Sequence, residues 1–269
     1  LMSHCQRGDE VIIGAEQHSY RYEAGGLAVL GSIQPQVIPN RADGTLDLVQ
    51  VEAAIKPDDA HFARTRLLAL ENTIGGKPIS RQYLEQALGL AKRRGLGTHL
   101  DGARIFNAAA HFGVDVKTLC AGFDSVSACL SKGLGAPAGT VLMGSRDLIA
   151  KAHRARKILG GAMRQAGVIA AAGLYALEHN VARLPTDHRN AERLARGLRE
   201  LGMAVEQQTN MVFATVPRVT GLADHLKQRG VVVLARAPMR LVTHLDVDEA
   251  GIDRALAAFS EFFAEAKTS

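Results

Sequence analysis

Residues 96–135 read LGTHLDGARIFNAAAHFGVDVKTLCAGFDSVSACLSKGLG, and this stretch decides the fold. The apolar run LGTHL stops at Asp101, and a second run, Phe123 to Leu130, stops at Ser131-Lys132-Gly133. Between them ARIFNAAAHFG has the composition of a short helix. Asp101 and Lys132 stand 31 positions apart, the length of one strand–helix–strand unit. Consecutive parallel strands in such a unit end on one edge of the sheet, so the acid and the amine face a single crevice.

A carboxylate and a lysine in one crevice suggest pyridoxal phosphate chemistry. The lysine forms an imine with the cofactor aldehyde, and the acid keeps the pyridine nitrogen protonated so that the ring can accept electrons. An isolated lysine has a pKa of about 10.4, so burial or nearby cations must activate it. The preceding run predicts that Lys132 is buried on the sheet, and Gly133 and Gly135 predict close approach of backbone to a ligand. Asp101 closes an apolar strand and therefore calls for a cationic partner. Each residue also has a plainer reading: a surface lysine at a strand end, and a helix N-cap aspartate. Arg104 suits a phenolic oxygen or a carboxylate, or a structural ion pair. His99 and Asp101 share a strand face, but without a third ligand no metal site is expected.

Working outward, Val11 to Ile13, Val37 to Pro39, Leu67 to Leu70 and Gly139 to Met143 read as further strands. Leu46 to Ile55 has helical spacing after the Asp43-Gly44 turn, and Ser80 caps a helix that runs through Arg94 and stops at Gly95. Arg146 to Lys157 and Gly167 to Asn180 are long helical stretches. His18 lies in the polar segment GAEQHSYRYEAGG, on a loop beside a helix start. The alternation predicts an α/β fold: a mostly parallel sheet with helices on its faces and functional groups at the carboxyl ends of its strands. From Asp187 onward the pattern becomes α+β. Met203 to Glu206 pairs with Met211 to Val216, and Val231 to Leu234 with Arg240 to Thr243, in an antiparallel sheet. This predicts a large domain over 1–185 and a small C-terminal domain over 186–269.

With 269 residues, 47% of them hydrophobic, the chain can bury a large core. No apolar stretch reaches the roughly 18 to 20 residues of a membrane helix, so no membrane association is expected. Cys5, Cys120 and Cys129 are odd in number and lack CxxC spacing, which argues against a disulfide framework or structural zinc and fits the cytoplasm. The net charge of +5 draws on Lys92 to Arg94 and on the run from Lys151 to Lys157. No nucleic-acid motif accompanies these charges, so they read as solvated helix faces, and nucleic acid is not an expected partner. The opening LMSHCQRGDE lacks the features of a signal peptide and reads as the end of a helix, which predicts a segment ahead of Leu1.

Nine blocks in order, HSYRYEAGG, LGSIQPQ, LALENT, HLDGARIFNA, CLSKGLGAPAG, GGAMRQAG, YALEHNVARL, TNMVF and RLVTHLDV, resemble the low-specificity L-threonine aldolases among the aspartate-aminotransferase-like (type I) pyridoxal phosphate enzymes. The resemblance implies that Lys132 is the Schiff-base lysine and Asp101 the partner of the pyridine nitrogen. It implies that His18 stacks on the cofactor near the substrate hydroxyl, and that Arg104 and Arg240 bind the substrate carboxylate. Lys157 and Arg164 match positions near the active site, with a general electrostatic role. The implied reaction is retro-aldol cleavage of a β-hydroxy-α-amino acid, with His18, or a water it orients, as base. A homotetramer, a dimer of dimers with sites at subunit interfaces, is implied as well.

Two departures stand out. Family members often carry a histidine after ENT, where this chain has Ile74, Gly75 and Gly76. The Gly-Thr turn that holds the cofactor phosphate in the family falls ahead of Leu1. Competing expectations are another type I enzyme, such as a β-eliminating lyase or an aminotransferase, and a catalytically silent homologue that only oligomerises.

Overall fold

The computed structural model describes residues 1–217, 219–234 and 236–268. Its large sheet contains β1 (Asp9–Gly14), β2 (Gln34–Ile38), β3 (Arg64–Glu71), β4 (Gly97–Asp101), β5 (Ser125–Cys129) and β6 (Thr140–Gly144), in the order β2-β1-β3-β4-β5-β6. The first five run parallel, and β6 closes the edge antiparallel to β5. Central position explains the unbroken apolar run of β3, in which Leu67 to Leu70 are buried, because helices cover both faces of a parallel strand.

Short α1 (His18–Arg21) and α2 (Gly26–Val29) follow β1, and α3 (Leu48–Ala54) starts at Asp47, whose carboxylate accepts the Val49 N–H. The predicted cap of α4 (Arg81–Arg93) is present: Ser80 Oγ accepts from Tyr83 N, and Gly95 leaves the helix at φ +67°. α5 (Ile105–Phe112) and α6 (Val116–Cys120) connect β4 to β5. The apolar faces of α3, α4, α5 and α6 meet one side of the sheet, where Leu68, Leu70, Leu84, Leu100 and Ile105 form the main core. Leu1 to Cys5 form a single turn, with Cys5 N donating to Leu1 O, rather than part of an assigned helix.

Beyond α7 (Arg146–Ile158) and α8 (Gly167–His179), α9 (Leu184–Glu200) leads into a second sheet. There β7 (Ala204–Gln208), β8 (Met211–Thr215) and, after α10 (Leu222–Gln228), β9 (Met239–Val242) are antiparallel in the order β7-β8-β9, with α11 (Glu249–Thr268) alongside. A separate core of Leu194, Leu198, Val212, Leu226 and Phe259 holds these elements.

The strand expected at Val231 to Leu234 is not formed, and β9 pairs with β8 instead. The alternation there is real, since Val231 and Val233 pack on the core while Val232 and Leu234 are exposed. Alternation reports which side chains are buried, and here, among the described residues, no neighbouring strand completes the ladder. Among the described residues no helix is long and apolar enough to cross a membrane.

Candidate active site

The register of the large sheet places Glu71 directly beside Asp101, and Asp101 beside Ser127, so β3, β4 and β5 end together. Lys132 follows three residues beyond β5. The Asp101 carboxylate accepts the Ala103 N–H at 3.0 Å, which turns the chain toward α5. The N-cap position of α5 belongs to Arg104, so Asp101 is not its cap, and among the described residues Asp101 forms no ion pair.

Lys132 departs from expectation: it is exposed, because it lies in the turn after the strand rather than on it. Its flanking glycines serve packing. A Cβ on Gly133 would meet Leu184 at 3.2 Å and Asn107 at 3.3 Å, and one on Gly135, at φ +74°, would meet Leu245 at 2.1 Å. They seat the lysine turn against α5, α9 and the loop after β9.

In front of these strand ends is a cavity of ≈ 500 Å³ lined by His18, Tyr22, Glu71, Ile74, Arg104 and Arg240, among others. Asp101 and Lys132 are not among its lining residues. Both act on the Glu71 carboxyl, which is pushed up to about 7 by burial first, with the like charge of Asp101 adding, against the His18 N–H, Lys132 and Arg104. Burial, and then the like charge of Arg240, weaken the hold of Arg104 on its proton, whereas Glu71, Cys129 and Asp101 strengthen it. Burial opposes ionisation of the Cys129 thiol, but bonds from Ser131 and the Lys132 charge outweigh it and bring it below the ordinary thiol value. Asp101, Arg104, Lys132 and Arg240 therefore share one electrostatic environment.

His18 opens α1. Its main-chain N donates to Glu71 Oε2 at 2.7 Å, its Nδ1 pairs with Glu23 Oε1 at 2.8 Å, and its ring lies 5.3 Å from that of Tyr22. Ile74 and Lys77 bridge across a tight turn whose central Gly75 and Gly76 have positive φ, and Ile74 lines the cavity. Lys77 reaches Glu206 at 3.3 Å and so ties this turn to the second sheet.

Lys157 and Arg164 do not line the cavity: they lie on α7 and on the α7–α8 connection, exposed. His99, in the middle of β4, gives its Nδ1 to a 2.7 Å contact with Ser125 Oγ, and burial lowers its pKa to about 3. Among the described residues no group of three or more His, Cys, Asp or Glu is arranged to hold a metal ion. A larger cleft of ≈ 680 Å³ runs along α11 and β9 and shares Arg240 with the first cavity. Glu71 was not singled out from the sequence, although it ends an apolar strand just as Asp101 does.

A family model described as beta-eliminating lyase matches residues 1–218. The low specificity L-threonine aldolase of Escherichia coli K12 is 51% identical over 267 residues, which cover 98% of this chain and 80% of that protein. The probable low-specificity L-threonine aldolase 2 of Arabidopsis thaliana is 40% identical over 280 residues, covering 98% of this chain and 79% of that protein. The chain belongs to the beta-eliminating lyase and threonine aldolase family.

The fold of this family member superimposes on the solved Leishmania major threonine aldolase with a TM-score of 0.81 at 19% identity, covering 97% of this chain and 79% of that one. A Thermus thermophilus aspartate aminotransferase mutant gives 0.67 at 17% identity, over 97% and 75%. The architecture is that of the type I pyridoxal phosphate enzymes, and the cofactor is pyridoxal phosphate. The donor set fits this group: an exposed amine in the turn after β5, a carboxylate ending the neighbouring strand β4, and the Arg104 guanidinium on the cavity wall.

Proposed function

We propose that the protein is an aldehyde-lyase that cleaves L-threonine or L-allo-threonine to glycine and acetaldehyde. The observation that carries this reading is the 51% identity, over 98% of the chain, with the Escherichia coli aldolase. The convergence of the Asp101, Lys132, Arg104 and Arg240 charges at one cavity supports it.

Lys132 is the amine that anchors the cofactor, and Asp101 keeps the ring nitrogen protonated. Arg104 and Arg240 bring two guanidinium forks together, and the repulsion between them is offset when a substrate carboxylate lies between them. His18, held at the cavity wall, takes the β-hydroxyl proton directly or through a water it orients. When bound, pyridoxal phosphate supplies the electron sink for the pair left on Cα as the Cα–Cβ bond breaks. Ile74 presents an apolar wall where many relatives of this kind carry a histidine.

The same proposal assigns residues 1–185 to a cofactor-binding domain and 186–269 to a smaller one. It places the chain in the cytoplasm, in keeping with three free thiols, and in a homo-oligomer, a dimer of dimers. Val168 on α8 is 79% exposed and Ile158 on α7 is 78% exposed, an apolar surface suited to a second copy. Lys157 and Arg164, on that same surface, then act in a neighbouring copy's site.

Incubation of the cofactor-loaded protein with L-threonine tests the reading. Acetaldehyde and glycine in equal amounts are expected. Keto acid with ammonia would instead make it an eliminating enzyme, and absence of an imine absorbance band would make it a silent homologue.

A further inference from the structure

We propose that Glu71 is a positioning residue of this site: its carboxylate, through the main chain of His18, sets where the imidazole stands against the cavity. The inference rests on the reading of the cavity as the active site.

The four-residue helix α1 buries none of its residues, so packing does not place it. Gln17 occupies its N-cap position without a side-chain cap bond, and its amide reaches back to Ala69 O at 3.0 Å instead. Glu16 N donates to Asn40 Oδ1 at 2.8 Å, and His18 N to Glu71 Oε2 at 2.7 Å. Three bonds thus stitch the segment to the sheet and its margin. Of their acceptors, only Glu71 is ionisable.

The groups facing Glu71 come from every neighbouring element: Asp101 at the end of β4, Arg104 ahead of α5, Lys132 after β5, and His18 with its partner Glu23 on the α1 side, while Arg240 of β9 lies across the cavity. Burial and Asp101 oppose the ionised form, whereas the His18 N–H, Lys132 and Arg104 favour it, and the balance is close to even at neutral pH. An N–H bond to a carboxylate is shorter and stronger than one to a neutral acid. Protonation of Glu71 therefore loosens the tether of His18 without breaking the fold.

The test reads the tether directly in protein without cofactor, labelled with 15N-histidine. The His18 amide resonance is expected to titrate with a midpoint near 7, to lose that titration in Glu71→Gln, and to shift to a lower midpoint in Asp101→Asn. The Gln amide oxygen still accepts the N–H, so Glu71→Gln keeps the geometry while removing the charge. In the loaded enzyme, wild-type kcat/KM should show a step of about fivefold across that midpoint, because the protonated carboxyl still accepts the His18 N–H, only more weakly. Glu71→Gln should lose that step and lie about fivefold below wild type on the alkaline plateau. A His18 amide midpoint below about 5.5, or the same fivefold step in Glu71→Gln, overturns the proposal. Titration in a protein that makes no acetaldehyde would leave the tether standing and remove the assigned reaction.

Discussion

Replacing Arg183 by Met should destabilise the protein and loosen substrate binding together. Arg183 faces Asp187 one turn along the chain at the start of α9, with Nη1 donating to Oδ2 at 3.1 Å and Nη2 to Oδ1. The Asp187 side chain is fully buried, and that of Arg183 is 26% exposed. Removing one partner of a wholly buried ion pair costs about 3–5 kcal/mol, because the remaining charge stays in low dielectric without compensation. Since part of the guanidinium still meets water, the expected loss is about 2–4 kcal/mol. The effect should reach the site, because Asp187 O accepts the Thr243 hydroxyl at 2.6 Å and Thr243 directly follows β9, which carries Arg240. Urea unfolding followed by circular dichroism should show a midpoint lower by roughly 1 M. KM for threonine should rise more than kcat falls. The double variant Arg183→Met with Asp187→Leu should recover much of the stability, since it removes the stranded charge. A single variant within about 0.5 kcal/mol of wild type would refute this account of the pair.

Lys132→Ala should abolish the imine absorbance band while leaving the far-ultraviolet dichroism unchanged; a retained band would move the anchor elsewhere. Arg240→Ala should raise KM by about 10- to 100-fold through loss of a charge-assisted pair, and Arg240→Lys should restore only part, because the fork is lost; equal KM for the three would remove Arg240 from substrate binding. Burial disfavours the charged form of His99 and lowers its pKa to about 3, against an ordinary histidine value of about 6.5. A group so depressed contributes stability above 6.5 that is lost as pH falls toward 3, about 2 kcal/mol of it by pH 5. Denaturant midpoints of wild type and His99→Gln measured at pH 7.5 and 5 should therefore converge at the lower pH, and parallel pH dependence would contradict this.

The unit from β4 to β5 was legible because two apolar runs, each closed by a reactive polar residue, bracket one helix, and right-handed parallel crossovers leave few alternatives for where they end. Ser80 and Gly95 were legible because caps are local chemistry. Glu71 was missed because its meaning depends on register: only when β3 lies beside β4 does it stand against Asp101, and nothing in LALENT states which strand is its neighbour. Val231 to Leu234 misled for a related reason, since the period of two marks burial whether or not a partner strand exists. Lys132 was expected to be buried because an apolar run was taken to continue through its last residue, whereas the strand ends at Cys129 and the lysine belongs to the turn. Gly133 and Gly135 carried a signal of close approach, and the protein groups that come close are Leu184, Asn107 and Leu245.

The outer face of α8 bears on the proposed assembly. Its sequence, GVIAAAGLYALEH, is apolar on nearly every side, yet only Gly173 and Ala176 are buried, and Leu174 and Tyr175 are each 61% exposed. A helix of that composition is ordinarily covered all round. β6, at the edge of the large sheet, is also exposed along its whole length. If a second copy covers this surface, Val168→Glu with Tyr175→Glu, seven residues apart and so on one helix face, should lower the sedimenting mass by at least one step of association. Dichroism should be unchanged, because neither side chain is buried within its own chain. Cofactor binding through Lys132 should survive in part, whereas activity should fall if, as proposed, Lys157 and Arg164 act in a neighbouring copy's site. Sedimentation unchanged by both charges would place the interface elsewhere and leave those two basic residues without a role in the reaction.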